Sequence, residues 1–200
     1  MRLFLTRAAF VILISLVICL ILRKTKLRRR WLGILVCASI MLTAGFALTP
    51  IEKAILTFSS PEESYQYNNA GDVLAVVTGA ESAFVIGRHG DTDTNVIVPK
   101  SGQAWKLGTA IDMRCVYHNA TDGVVLSIYQ YKNTKDFYLS VFDTNGGAAV
   151  VSDNRASQFK AIEKTNKVLA KKFYTYYAYL NTYDTAYELT VNNKTMQIHE

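Results

Sequence analysis

Hydrophobic and polar positions follow three successive patterns along the chain. Residues 3–22, LFLTRAAFVILISLVICLIL, are apolar except for Thr6, Arg7 and Ser15, and residues 32–49, LGILVCASIMLTAGFALT, carry no charge. Each run has about the 20-residue length that lets a helix cross roughly 30 Å of hydrocarbon. The pattern therefore predicts two transmembrane helices, at about 3–22 and 32–49, with Pro50 closing the second. A signal-peptide reading of the second run, cut after Gly45-Phe46-Ala47, is the alternative.

The second pattern begins at residue 51. IEKAILTF is a short connector, and SSPEESYQYNNAGD follows it. Ser60 suits an N-cap and Pro61 a first helical position, while Glu62 and Glu63 complement the positive end of the helix dipole. Asn68, Asn69 and Gly71 should end this helix, and an element so short needs an apolar anchor such as Tyr65 to be stable. Strand-like runs come next: DVLAVVTG, SAFVIGR after a turn at Gly79-Ala80-Glu81, NVIVPK ending near Pro99, and QAWKLG. Residues 51–110 thus read as a connector and a small α+β unit.

In the third pattern, from 111 to 200, strand follows strand. DMRCVYHN alternates, which should put Met113, Cys115 and Tyr117 on one face. GVVLSIYQYK and DFYLSVFDT form a hairpin across Asn133-Thr134-Lys135, and AAVVS is a short strand. AYELTV and TMQIH close on Asn-Asn-Lys, a type I′ turn signal because Asn tolerates positive φ. Phe159, Ile162, Asn166, Leu169 and Phe173 fit one helix face. The same stretch also fits a hairpin turning at 164–167, and the surrounding strands favour that reading. Six or seven short strands in about 90 residues predict an immunoglobulin-like β-sandwich. The fold class expected is α+β, mostly β, behind two transmembrane helices.

Charge changes the picture at the N-terminus. The chain holds 22 Lys+Arg and 16 Asp+Glu. Eight of the basic residues and none of the acidic ones lie in 1–50, so residues 51–200 are slightly acidic. The basic pI therefore gives no support to nucleic-acid binding, which needs a basic face on the folded part. Six of the eight, Arg23, Lys24, Lys26, Arg28, Arg29 and Arg30, sit between the two apolar runs. The positive-inside rule puts such a loop in the cytoplasm and residues 51–200 outside the cell. The expectation is a multi-pass plasma-membrane protein of bacterial type, its basic loop meeting anionic lipid head groups. Cys115 is the lone cysteine of the folded part, expected as a core thiol, and no Cys/His spacing suggests zinc.

The chemistry-bearing stretch is FVIGRHGDTDTN, residues 84–95. It resembles the phospho-acceptor motif of the histidine phosphatase family. That resemblance implies His89 as nucleophile, Arg88 as a phosphate ligand, Asp91 beside them and Asn95 as a structural partner. Three features depart from the family. Only 105 residues follow Asn95, and they read as β. The motif leads into a strand rather than a helix. Neither His118 nor His199 stands in a comparable second motif. A polar hairpin tip accounts for Gly, Asp, Thr and Asn on backbone grounds alone. Asp91 and Asp93, with Asp72, are the weak candidates for Ca²⁺. No cofactor is expected.

A second resemblance covers residues 57–107 and the last 15. FSSPEESYQY…GDVLAVV…AFVI…VIVPK is similar to small membrane-bound proteins of Gram-positive bacteria in which a TPEEA-like helix precedes a β-hairpin unit. It implies location and fold, and no activity. The function expected from the whole reading is a non-catalytic binding module, meeting a ligand or another membrane or envelope protein. An envelope hydrolase or phosphatase using His89 is the alternative. All twelve tyrosines lie beyond residue 64 and six fall between 174 and 187, so Tyr174, Tyr176, Tyr177 and Tyr179 are the candidate contact surface, by strand addition or aromatic packing.

Overall fold

The computed structural model describes residues 11–13, 15–17, 20, 33–34, 37–39, 41–42, 52–166 and 168–198. The chain divides into two compact units, Met1–Leu56 and Thr57–Glu200. In the first, the described residues before Leu56 are helical, and helix α1 spans Glu52–Ile55. The Ser15 hydroxyl donates to the Val11 carbonyl at 2.8 Å and lies 2.5 Å from the Ser39 hydroxyl, so the two apolar runs meet there.

The membrane expectation is overturned. Among the described residues no helix is long and apolar enough to cross a membrane. A span of about 30 Å needs about 20 continuous helical residues, and run length with hydropathy was all that the expectation rested on. The two-helix anchor, the plasma-membrane location and the extracytoplasmic placement of 51–200 fall with it. The loop bearing Arg23, Lys24, Lys26, Arg28, Arg29 and Arg30 lies outside the described residues, as does His199.

The second unit is mostly β, built in layers. Helix α2, Pro61–Asn68, starts as the sequence requires: the Ser60 hydroxyl accepts from the Glu63 backbone N–H. Glu63 reaches back to the Ser59 N–H and hydroxyl at 3.1 and 2.7 Å, which satisfies a further group of the first turn. Tyr65, fully buried, docks the helix. Beneath it lies a four-stranded antiparallel sheet in the order β1 (Asp72–Thr78), β2 (Ser82–His89), β3 (Thr92–Ser101), β4 (Ala104–Trp105). Alternate residues of this sheet serve opposite faces. Ala83, Val85, Val98 and Trp105 pack on Tyr65, whereas Phe84, Ile86 and Ile97 point the other way.

That other face meets a five-stranded sheet ordered β5–β6–β7–β10–β9, formed by Met113–Thr121, Val124–Tyr131, Phe137–Asp143, Lys171–Leu180 and Lys160–Asn166. Tyr131, Tyr138 and Tyr177 pack against Phe84, Ile86 and Ile97. On the opposite face of the five-stranded sheet, Leu126, Ile128, Leu139, Val141, Ala178 and Leu180 close on Tyr187, Leu189, Val191 and Ile198. Those last residues belong to or flank a three-stranded sheet ordered β12 (Lys194–Gln197), β11 (Glu188–Val191), β8 (Val151–Asp153). The five-stranded sheet is therefore buried on both faces.

The 111–200 segment is a sandwich of five and three strands. Its order differs from the immunoglobulin arrangement, in which the third strand of the chain changes sheet. Here β5, β6 and β7 stay together as a meander and β8, the fourth strand of the segment, makes its first change of sheet. Residues 160–180 are a hairpin, with turn residues at 168–170. The last hairpin turns at Asn192 and Asn193, at φ +48° and +67°, as a type I′ turn demands.

Two expectations for strand faces are corrected. The β5–β6 register shifts between Cys115 and Tyr117, so the alternation breaks there. Met113 packs toward the four-stranded sheet, Val116 and Tyr117 pack toward the three-stranded one, and Cys115 is an exposed thiol on an edge strand. The four tyrosines of β10 fall on two opposite faces, Tyr174 with Tyr176 and Tyr177 with Tyr179. Tyr176 and Tyr177 are buried in different cores, Tyr179 packs beside Tyr177's cluster, and Tyr174 lies toward the three-stranded side. The later half of β10 lies between two sheets, so its tyrosines offer a partner no single free face.

Candidate functional site

The Arg-His-Gly stretch is the tip of the β2–β3 hairpin. His89 and Thr92 pair directly, leaving Gly90 and Asp91 as a two-residue turn. Gly90 sits at φ +61° and Asp91 does not take positive φ, the pattern of a type II′ turn, which wants glycine first. The local sequence is thus fixed by hairpin geometry.

Arg88 is committed. It pairs across the strands with Asp93, Nε donating to Oδ1 at 2.6 Å, and Nη1 donates to the Glu163 carbonyl at 3.2 Å. Lys164 of β9 donates to the Asp91 carbonyl at 2.8 Å and reaches Asp93 Oδ2 at 3.3 Å. Partial burial pushes the Asp93 carboxyl up. The Arg88 hydrogen bond and charge, with Lys164, more than offset this and hold it below the ordinary carboxylate range. These contacts brace the β2–β3 tip against the β9–β10 hairpin.

Beside the brace lies a cleft of about 470 Å³, lined by Asp91, Phe142, Lys164, Thr165, Asn166, Val168 and Phe173. Phe142 and Phe173 form its aromatic floor, ring centroids 6.0 Å apart. They come from β7 and β10, on the side of the five-stranded sheet that faces the other sheet. Asn166 accepts from the backbone N–H groups of Val168 and Leu169, each at 3.0 Å, and this shapes the hairpin tip. Val168 is 93% and Leu169 64% exposed, an unusual display of two apolar side chains among lysines.

The sequence-derived candidates are scattered. His89 ends β2 and His118 stands on β5, in the other sheet, with Nδ1 2.9 Å from the Ser127 hydroxyl. Asp93 is spent on Arg88 and Lys164, and Asp91 turns toward the cleft. Asp72 pairs with Arg88 in the β1–β2 register. Among the described residues no group of three or more His, Cys, Asp or Glu could hold a metal ion. The Arg88 guanidinium, a phosphate ligand in the phosphatase reading, is engaged by a carboxylate and a carbonyl.

Lys164, Thr165, Asn166, Val168, Phe142 and Phe173 were not singled out by sequence reasoning. The one signal was Val-Leu inside an otherwise polar, lysine-rich turn, which reads equally as one stripe of a helix. A second, smaller groove of about 220 Å³ runs between β5 and β12, lined by Tyr117, Asn119, Thr121, Leu126, Met196 and neighbours.

Comparison with family models, with curated proteins and with solved structures gives no match to this chain.

Proposed function

We propose that the Thr57–Glu200 unit is a non-catalytic binding module and that its ligand sits in the cleft over Phe142 and Phe173. The observation that carries this reading is the braced cleft itself: a concave, aromatic-floored site whose walls are tied together by Arg88, Asp93 and Lys164. Concave sites with an apolar floor and a few fixed polar groups are where small ligands bind. A braced wall also lowers the ordering cost of binding.

A cleft ligand is favoured over strand addition because five of the six edge strands are guarded. β1 and β5 carry register shifts, β9 presents Lys160 and Lys164, and β4 and β8 are two and three residues long. Bulges, lysines and short strands are the devices that discourage edge pairing.

The test is a ligand-observed NMR screen of the full chain against small aromatic and aliphatic fragments, repeated on Phe173→Ala. Binders that lose their signal with Phe173→Ala support the cleft. If no fragment depends on Phe173, the cleft is not a binding site. Turnover of simple esters or phosphoesters that vanishes in His89→Ala would overturn the non-catalytic reading.

A further inference from the structure

The β9–β10 turn departs from the ordinary composition of a turn. Exposed turn positions usually hold Gly, Asn, Asp or Ser, and residues 168–170 are Val, Leu and Ala. Val168 and Leu169 both project into solvent. The backbone behind them is fixed. Asn166 Oδ1 accepts both of their N–H groups, each at 3.0 Å, and Ala170 sits at φ +47°. The two donors nearest the tip are therefore satisfied within the chain. An apolar tip whose amides need no water can leave water at little polar cost.

The charge around the tip is positive. Residues 163–172 hold Lys164, Lys167, Lys171 and Lys172 against Glu163. The neighbouring β2–β3 tip adds Arg88, Asp91 and Asp93. Arg88 and Lys164 share the one Asp93 carboxylate, and Lys172 pairs with Glu163 at 3.0 Å. Lys171 has no carboxylate partner among the described residues, and its Nζ lies over the Phe173 ring, 5.9 Å from the centroid. Asp91 is the opposing charge, and the basic groups outnumber it. We propose that this turn docks on an anionic lipid surface. Val168 and Leu169 enter the head-group layer, and the lysines stay at its level. A side chain as exposed as Val168 packs on almost none of its own protein, so its occupant has to close around it, as a fluid layer does. Lysine stems lie along apolar surface while their ammonium groups remain wet, and a small apolar group with a basic border is the make-up of interfacial segments. The contact is interfacial and needs no spanning helix. It stands whether or not a small ligand occupies the floor of the cleft.

The test is paramagnetic broadening in the full chain, isotope-labelled at its Leu and Val methyl groups, with bicelles that carry a spin-labelled lipid at low salt. The Val168 and Leu169 signals should broaden several-fold more with phosphatidylglycerol in the bicelle than with phosphatidylcholine alone. The core methyls of Leu126 and Leu139 should stay sharp in both. Leu169→Ser, at an exposed position outside the cleft lining, should cut the broadening at Val168 and leave the core signals where they are. Lys171→Gln should weaken the preference for the anionic bicelle by about fivefold, the effect of one basic residue near such a surface. Tip signals that stay sharp, or broaden equally in both bicelles, overturn the proposal. Broadening at Val168 that Leu169→Ser leaves unchanged overturns it too, because attachment elsewhere in the chain would then explain the proximity. Tip signals that ignore both bicelles and shift with polyglutamate would assign the basic tip to an acidic protein instead.

Discussion

At the scale of single residues, Asp136 decides more than any group in the cleft. It is 1% exposed, and its two oxygens accept from four donors. The Ala80 N–H and the Tyr179 hydroxyl meet Oδ1 at 3.1 and 3.0 Å, and the Glu81 N–H and the Ser82 hydroxyl meet Oδ2, each at 2.8 Å. The β1–β2 turn is thereby fastened to the start of β7, more than fifty residues away. Ser82 also bonds the Tyr138 hydroxyl at 2.7 Å. Burial drives the Tyr138 phenol far above its ordinary range, so it stays a neutral hydrogen-bonding group at any working pH. Asp136→Asn keeps the shape, and its NH₂ faces donors. It should cost about 2–4 kcal/mol of stability, read from the midpoint of urea unfolding. A loss below about 0.5 kcal/mol would mean that this clamp is ornamental. Gly87 is the second such position. A Cβ there would lie 2.1 Å from the Tyr65 hydroxyl oxygen, so α2 sits this close to the sheet only because residue 87 is glycine.

At the scale of elements, the β2–β3 and β9–β10 hairpins form the cleft together, and the Arg88–Asp93–Lys164 bridge sets their spacing. Asp93 has a folded pKa below its unfolded value. Its contribution is therefore full above the unfolded carboxylate pKa near 3.9 and is lost as pH falls through the lower folded value. The groups are partly solvated, 31% exposure for Asp93 and 45% for Lys164, so the bridge is worth less than about 1 kcal/mol. Thermal unfolding of the native protein and of Asp93→Asn should differ at pH 6 and converge only once the pH has fallen through the lowered folded value of Asp93. A difference that persists unchanged into acid would remove the charge from the explanation.

The hairpins were legible in outline. Gly90-Asp91 and Asn192-Asn193 carry turn chemistry that one residue pair suffices to encode, and Ser60-Pro61 encodes a helix start in the same local way. The cleft was not legible, because its floor comes from Phe142 and Phe173, residues thirty apart that meet only when β7 and β10 pair. Tyr117, expected on the face of Met113 and Cys115, failed for a related reason. Alternation predicts a face only while register holds, and a one-residue bulge is invisible until the partner strand is known.

At the scale of the molecule, the second unit is a stack of one helix and three sheets. The tyrosine density of the C-terminal half is explained by the middle of this stack. Tyr131, Tyr138 and Tyr177 fill the space between the four- and five-stranded sheets, and Tyr176 and Tyr187 lie on the far side. Buried tyrosines keep partners for their hydroxyls. Tyr176 accepts from the Ala149 N–H at 2.6 Å, Tyr187 donates to Asp153 at 2.9 Å, and Tyr179 donates to Asp136. Mostly-β character was readable from period-2 patterning, but the count was short: residues 111–200 hold eight strands where six or seven were expected. The layering was not readable, since a strand apolar on both faces can lie between two sheets or between a sheet and a helix. The N-terminal runs show the converse limit: length and hydropathy predicted two spans, and among the described residues no helix is long and apolar enough to be one.

Away from the cleft over Phe142 and Phe173, a sheet covered on both sides leaves its central strands no route to solvent short of losing a whole neighbouring layer. In deuterium-exchange terms, β7 and β10 should form the slowest-exchanging unit, their amides opening only with global unfolding. Helix α2 and the turn at 168–170 should label orders of magnitude sooner. Ligand seated on Phe142 and Phe173 should then slow exchange at that turn and leave the β7 amides almost untouched, a footprint that places the occupied site on the molecule without any assay of what the protein does.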